Sequence, residues 1–428
     1  MSRNTIPPVP FAPVRAAVIK APAAALLLLA GSAMAQATLR AAADKAGLHF
    51  GAAISGRIAT GTNTALKDII TSQFNTVVCE NDMKWDNTER NPGEFTFSGG
   101  DNVVEFAGDN DMKVRGHTLV WHSQSGGAEA GGSSREEMLA KMKSHIDAVA
   151  GRYKGKILEW DVVNEAVADG STSLRPSFWQ KRVGDDFIDS AFVYAHRADP
   201  SALLFYNDYG AEDMGTKSNG VYNLVKRLKD NGIPIHGVGL QCHFGSSIRK
   251  ADIDRNIKRL GALGLRVALT EIDMVDPSHN TQPWKDLMEV CLANANCTTF
   301  MTWGVYDAAS WRVPRGGNNC NCLIYDTQLQ PKDIHGVLVT AMNNADPTVV
   351  AARKAFAGPT VAVRLAPIQG VRTARGWGLA TGTAHLPVLS VRGARVDFLG
   401  RSVVASPAIN ASQVRSTGAG GAAFLIAE

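Results

Sequence analysis

Short apolar runs recur along the chain at fairly even intervals. They fall at Leu48–Ala53, Phe74–Cys79, Lys113–Trp121, Ile157–Val163, Ala202–Tyr206, Gly237–Leu240, Arg266–Thr270 and Thr298–Trp303. Several are continuously apolar rather than alternating, the pattern of strands covered on both faces. Helical patterns lie between them. Ser134-x-x-Glu137 is a capping-box signature, followed by Leu139, Met142, Ile146 and Val149 at helical spacing. Val221, Leu224, Val225 and Leu228 repeat that spacing and stop at Asn231-Gly232. Eight strands alternating with helices predict an α/β fold, a (β/α)8 TIM barrel. The rival, an open doubly wound sheet, would show a glycine-rich phosphate loop after an early strand, and the sequence has none.

The pattern breaks at both ends. Residues 1–35 carry Arg3, Arg15 and Lys20, then the apolar Ala21–Ala30, then Gly31-Ser32-Ala33-Met34-Ala35. That order predicts a secretory signal peptide cleaved after Ala35, with Ala37 as second choice. No later stretch is apolar enough for a membrane span, so a secreted, extracellular protein with no span in its mature form is expected. After residue 357 lysine disappears, glycine rises, and Val361-Ala362-Val363, Leu386–Val391 and Ala423–Ile426 read as short strands. The expected organisation is a leader (1–35), a barrel domain (36–357), and a small C-terminal appendage (358–428), β-rich or partly disordered.

Charge follows the same division. The 428 residues carry 44 basic and 40 acidic side chains. The leader contributes three of the bases, and the appendage contributes seven Arg against Asp397 and Glu428, leaving 34 basic against 38 acidic in the body. A mildly acidic body offers no phosphate-binding surface, so nucleic acid is excluded as an expected partner. Six cysteines are too few for a disulfide scaffold. Export permits bridges: Cys291 and Cys297 flank a helix-to-strand junction and could pair, while Cys320 and Cys322 could bridge locally or link elsewhere. Cys79 and Cys242, in apolar strands, read as buried thiols. No cysteine or histidine grouping has the spacing of a zinc site, so no metal is expected.

A barrel presents its reactive groups at the C-terminal ends of its strands. Glu80, Asn81 and Lys84 follow the second run. His117 lies within the third, which ends at Trp121-His122. The later runs lead into Asn164-Glu165, Asn207-Asp208-Tyr209, Gln241 and His243, Glu271 and Asp273, and Trp303, Asp307 and Trp311. A lone carboxylate at a strand end is ordinarily a cap or a solvated charge. Polar and aromatic groups at seven strand ends, converged on one cleft, are not explained that way. Glu165 and Glu271 stand out. Cleaving a glycosidic bond needs one carboxylic acid to protonate the leaving oxygen and one carboxylate to attack or to activate water. Indole faces suit the apolar faces of sugars. This chemistry needs no cofactor.

Trp160-Asp161-Val162-Val163-Asn164-Glu165, Ala268-Leu269-Thr270-Glu271-Ile272-Asp273 and Arg115-Gly116-His117-Thr118-Leu119-Val120-Trp121-His122 resemble signatures of glycoside hydrolase family 10, the retaining endo-1,4-β-xylanases. Glu80-Asn81-x-Met83-Lys84-Trp85, Asn207-Asp208-Tyr209, Gly239-Leu240-Gln241-x-His243 and Thr302-Trp303-Gly304-Val305-x-Asp307 continue the resemblance in order, from about residue 48 to about 340. It implies Glu165 as acid/base and Glu271 as nucleophile, cutting internal bonds of xylan or xylo-oligosaccharides. His243 would hold Glu271 ionised, and Asn164 would bind the 2-hydroxyl of the attacked sugar. Asp161 and Asp273 would be supports. Glu80, Asn81, Lys84, His117, Trp121, Gln241, Trp303 and Trp311 would line subsites on the non-reducing side, and Tyr209 would contact sugar beyond the cut. The Cys291-x5-Cys297 pair is similar to a bridge found in part of the family.

The chain also departs from the family. Cys79 stands where the family commonly has Pro. Ser125-Gly126-Gly127-Ala128 replaces a stretch that usually holds a Pro and a Trp, which removes an aromatic wall. The appendage faintly resembles β-rich sorting tails of secreted bacterial enzymes, which would imply attachment at the cell surface. A β-1,4-glucanase acting on cello-oligosaccharides in the same cleft and a non-catalytic glycan-binding barrel are the rival readings. A monomer is the default expectation.

Overall fold

The computed structural model describes residues 38–129 and 134–356, and the backbone of four short strands between 370 and 403. Residues 1–37, which include the expected leader, residues 130–133 and the three strand-like runs expected in the appendage lie outside the described residues. In the appendage, Gly370–Thr373 pairs antiparallel with Gly376–Leu379, and Arg395–Val396 with Ser402–Val403.

Eight parallel strands form the sheet of the barrel. They are β1 (His49–Ile54), β2 (Thr76–Cys79), β3 (Lys113–Val120), β4 (Glu159–Asn164), β5 (Leu203–Asp208), β6 (Gly237–Leu240), β7 (Arg266–Met274) and β8 (Cys297–Thr302). Each pairs with its neighbours in chain order, and β1 pairs with both β2 and β8, so the sheet closes into a ring without a free edge. This is the expected (β/α)8 barrel. All eight apolar runs became strands because each is buried on both faces, against the barrel interior and the helical layer.

The helices stop and start where the sequence directs. Ser134 accepts from the Glu137 amide (3.3 Å) while the Glu137 carboxylate accepts from the Ser134 amide (2.7 Å), closing the capping box of the helix Arg135–Arg152. That helix buries Met138, Met142, Ile146 and Val149, with Leu139 only half-buried at the margin of the face. The helix Thr216–Asp230 buries Val221, Leu224, Val225 and Leu228, and Gly232 follows in the left-handed region at φ 71°.

One strand is longer than its apolar run. β7 continues past Thr270 to Met274, so Glu271 and Asp273 lie inside it rather than after it. The Glu271 amide donates to the Gln241 carbonyl (2.9 Å), and His243–Phe244 pairs beside Asp273–Met274. These backbone partners extend the strand through two charged residues, which apolar patterning does not reveal.

The opposite pole of the barrel is tied down separately. Cys291 and Cys297 form the expected disulfide, with their Cα atoms 5.2 Å apart. Buried Arg353 donates to the carbonyls of Cys297 and Ala46 (2.8 Å each) and of Cys291 and Leu292 (3.0 Å each). Burial lowers its pKa to about 10. Its donors fasten the helix Pro347–Phe356 to the helix Leu39–Ala46 and to the start of β8. Cys79 and Cys242 are buried free thiols, as expected. Among the described residues no helix is long and apolar enough to cross a membrane.

Candidate active site

The site begins with the two-residue alternation of β5. Leu203 and Phe205 pack in a small cluster with Ala268, apart from the main core that takes Leu204 and Tyr206. Asn207 shares the parity of Leu203 and Phe205 and therefore points inward. Its Nδ2 donates to Asn164 Oδ1 (2.9 Å) and to Glu271 Oε1 (2.7 Å), while its Oδ1 accepts from Thr270 (2.8 Å). Gly239 makes room for this amide: a Cβ there would lie 2.2 Å from Asn207 Oδ1. Gln241 Nε2 reaches Asn164 Oδ1 (3.3 Å) and Glu165 Oε1 (3.0 Å). A continuous chain of hydrogen bonds thus runs Glu165–Gln241–Asn164–Asn207–Glu271. With its oxygen accepting from two partners, Asn164 has its NH2 group left to offer a ligand.

Glu271 is 4% exposed. The ladder between β7 and β8 slips between Leu269 and Ile272, so Glu271 sits where the alternation is interrupted and a side chain can be re-aimed. His243 Nε2 lies 3.3 Å from Glu271 Oε2, and His117 Nδ1 lies 4.0 Å from Oε1. Burial pushes this carboxyl up, but the His243 hydrogen bond, the charges of His117 and His243 and the Asn207 amide hold it down at about 2. His243 is lowered by burial and raised more strongly by its bonds to Asp273 and Glu271, to about 10. Its Nδ1 meets Asp273 Oδ2 at 3.0 Å, and that oxygen also accepts from Trp311 Nε1 (2.8 Å).

Glu165 is the first residue after β4 and has a left-handed backbone, φ 56°. That conformation costs an L-residue about 1–2 kcal/mol. Its neighbours hold it there. The Glu165 amide donates to the Asn207 carbonyl (2.9 Å), and Arg175 Nε donates to the Glu165 carbonyl (3.1 Å). The next two amides, Ala166 and Val167, both donate to the Tyr206 hydroxyl (2.9 and 3.0 Å). Tyr206 in turn donates to Asp208 (2.5 Å), which pairs with Lys217 (2.9 Å). Burial raises the Asp208 carboxyl to about 7 against the pull of Lys217. The Glu165 side chain accepts from Trp121 Nε1 (2.8 Å) and Gln241, with His122 Nδ1 3.9 Å away.

One flank of the cleft gathers the expected sugar-binding groups. Lys84 Nζ donates to Asn81 (2.9 Å) and Gln124 (3.1 Å) and lies 5.1 and 5.9 Å from the ring centres of Trp121 and Trp303. Burial lowers its pKa, opposed by Glu271, Glu80 and Glu165. His117, held by Asp161 (3.0 Å), meets the Trp303 ring edge-on at 5.2 Å. Asp161 also grips buried Arg115, which pairs with Glu159 as well, so it is a support as expected. Glu80 is half-buried, with its pKa raised by burial. Trp311 is 56% exposed, its ring 5.0 Å from that of His243.

Tyr209 stands apart from this set. Its hydroxyl donates to Asp169 (2.7 Å) and accepts from Arg175 (3.1 Å), so it belongs to a charged cluster behind Glu165. The sequence motifs include Asn207, Asp208 and His122 without giving them a role, and Tyr206, Arg175 and Lys217 were not expected in the site. The replaced stretch after Gln124 folds as a turn, Gly126–Glu129, packed under the loop at Glu89–Pro92. Gly126 has φ 52°, and a Cβ there would meet the Glu89 carbonyl at 2.7 Å.

Two carboxyls of unlike surroundings, joined by one hydrogen-bond chain and flanked by indoles at the C-terminal mouth of a closed barrel, define a glycoside-cleaving class of site. Comparison with known proteins narrows the class. The family model for Glycosyl hydrolase family 10 matches residues 38–341, and the chain belongs to that family. It is 43% identical over 302 residues to an endo-1,4-beta-xylanase of Geobacillus stearothermophilus, covering 63% of this chain and 90% of the relative. The native structure of xylanase 10B from Thermotoga maritima superimposes with a TM-score of 0.68 at 33% identity, covering 71% of this chain and 98% of that one. Xylanase 10B from Thermotoga petrophila RKU-1, solved in complex with xylobiose, gives 0.68 at 32% identity, with 71% and 97% coverage.

Proposed function

We propose that this chain is a secreted endo-1,4-β-xylanase that cleaves internal bonds of xylan by double displacement with retention. The observation that carries the reading is the chain Glu165–Gln241–Asn164–Asn207–Glu271, which fixes two carboxyls against each other within one cleft. The xylanase names of the relatives and the xylobiose bound in a solved neighbour support xylan as substrate. The basic, apolar and small-residue order of residues 1–35 supports export.

In the first step the Glu271 carboxylate attacks the anomeric carbon while Glu165 gives its proton to the leaving oxygen. The glycosidic bond breaks and a glycosyl ester on Glu271 forms. In the second step Glu165, now a base, takes a proton from water, whose oxygen displaces Glu271 from the same carbon. His243 and Asn207 keep Glu271 anionic before attack. The free NH2 of Asn164 faces the 2-hydroxyl, where a contact strengthens as positive charge develops on the ring. Trp311 and the Lys84 flank hold further sugar units.

Release of reducing ends from xylan, measured beside a soluble cellulose derivative, tests activity and substrate together. Xylan should be the preferred polymer. Glu271→Ala should abolish hydrolysis, and added azide should restore turnover to a glycosyl azide of inverted configuration. Near-normal turnover by that variant would sink the assignment.

A further inference from the structure

We propose that the Cys320–Cys322 disulfide is a positioning element that holds Trp311 as an aromatic platform for sugar. The inference rests on the reading of the cleft as a glycan-cleaving site. Between the end of β8 and the helix Asp333–Asn343, the regular structure is the short turn Asp307–Ala309 and two isolated β-bridges, Tyr306–Tyr325 and Tyr325–Pro331. Trp311 lies outside these elements, so side-chain contacts share in fixing it.

The disulfide is at the centre of those anchors. Asp307 Oδ1 accepts from the amides of Cys322 (2.9 Å) and Leu323 (2.8 Å), and Oδ2 accepts from Lys332 (2.9 Å). Cys322 Sγ lies 3.2 Å from Ser310 Oγ, which also accepts from the Arg312 amide (3.1 Å). The Cys322 carbonyl accepts from the Met274 amide (3.1 Å), and the bridge packs against Val275 and Val313. It thus clamps the residues on either side of Trp311 to the residues just after Asp273. Asp273 is the group that orients both the Trp311 indole and His243. Asp307, Cys320 and Cys322 also form the one grouping of metal-ligand atoms among the described residues, but both sulfurs are bonded to each other.

Opening the bridge frees the turn at Asn321, and the Ser310–Val313 segment loses its packing on the bridge while Arg312 keeps its contacts with Asp273 (3.4 Å) and the Phe244 carbonyl (3.2 Å). The effect falls mainly on sugar binding, because Asp273 keeps its own bond to His243 (3.0 Å), and Glu271 is also held by Asn207 (2.7 Å).

The test uses the full chain with xylohexaose. Intact-peptide mass spectrometry counts the bridges. Steady-state kinetics are measured for the native chain, C320S/C322S, W311A and the triple variant. Binding to E271A and to E271A/C320S/C322S is followed by tryptophan fluorescence. C320S/C322S should raise KM about three- to tenfold with kcat within about twofold. In the W311A background the same change should add nothing further. Dithiothreitol, which delivers two electrons and two protons and closes to its own cyclic disulfide, should reproduce the effect in the native chain and not in C320S/C322S. The reductant arm suffices if the double variant does not fold, since alkylated thiols identify which bridge opened. Free thiols at both positions in the native chain, an unchanged KM, or an equal KM rise in the W311A background overturns the proposal. Binding by E271A with no cleavage by the native chain contradicts the functional reading alone, leaving the Kd comparison to decide this one. Absence of both overturns both.

Discussion

The two carboxyls that one hydrogen-bond chain joins in this cleft are held by opposite means. Glu271 lies within a strand, nearly fully buried, with His243, His117 and an amide around it. Its surroundings are built to keep a charge. Glu165 lies just past a strand, in a left-handed backbone, and its side chain accepts from the neutral donors Trp121 and Gln241. Its surroundings are built to keep a position. In the proposed reaction a nucleophile needs the first and a proton carrier needs the second, so the same side-chain type would serve two roles through its setting.

Variants should separate these roles. Glu271→Gln keeps the shape and the Asn207 contact but removes the charge, so kcat on xylo-oligosaccharides should fall at least about ten-thousandfold. Glu165→Gln should fall about a hundred- to ten-thousandfold on xylan. It should lose far less on aryl glycosides whose phenol needs no proton to leave. Equal losses on both substrates would erase the distinction.

His243→Asn tests the charge-keeping side. The His243 bond lowers the Glu271 pKa, and the active form is the anion, so activity fails as pH falls through that pKa. Removing the bond raises it, and the acidic limb of the pH–rate profile should move to higher pH. A charge-assisted hydrogen bond is worth about 1.5–3 kcal/mol, so kcat/KM at neutral pH should drop at least about tenfold. An unmoved acidic limb would contradict the role given to His243.

Tyr206→Phe should have the smallest effect and touch only the other side. It removes the acceptor for the amides of Ala166 and Val167, and a net hydrogen bond is worth about 1 kcal/mol. A loss of about three- to thirtyfold in kcat, with the acidic limb in place, is expected. A shifted acidic limb would mean that the two sides are not independent.

The barrel was legible because its strands are buried on both faces and so are written as apolar runs. The cleft was legible as a list, since barrel topology dictates that strand ends converge. What was not legible depends on geometry between elements. Asn207 joins the two carboxyls only because β5 points it inward, and Tyr206 supports Glu165 because the opposite parity points it outward. Glu271 and Asp273 read as following the seventh run because charge interrupts the apolar pattern of a strand that backbone pairing continues. The spacing of Cys320 and Cys322 allowed a local or a distant partner, and only the turn at Asn321 brings the two sulfurs together. That the Tyr209 hydroxyl joins Asp169 and Arg175 also depends on geometry between elements.

The most direct test of the division of labour is to trap the enzyme with a 2-deoxy-2-fluoro-β-xylobioside bearing an activated leaving group. The fluorine slows both steps, and the good leaving group restores the first. Peptide mapping by mass spectrometry should then find the fluoroxylobiosyl ester on the peptide that contains Glu271, attached at that residue. A label on Glu165, or inactivation without any covalent adduct, would contradict the account.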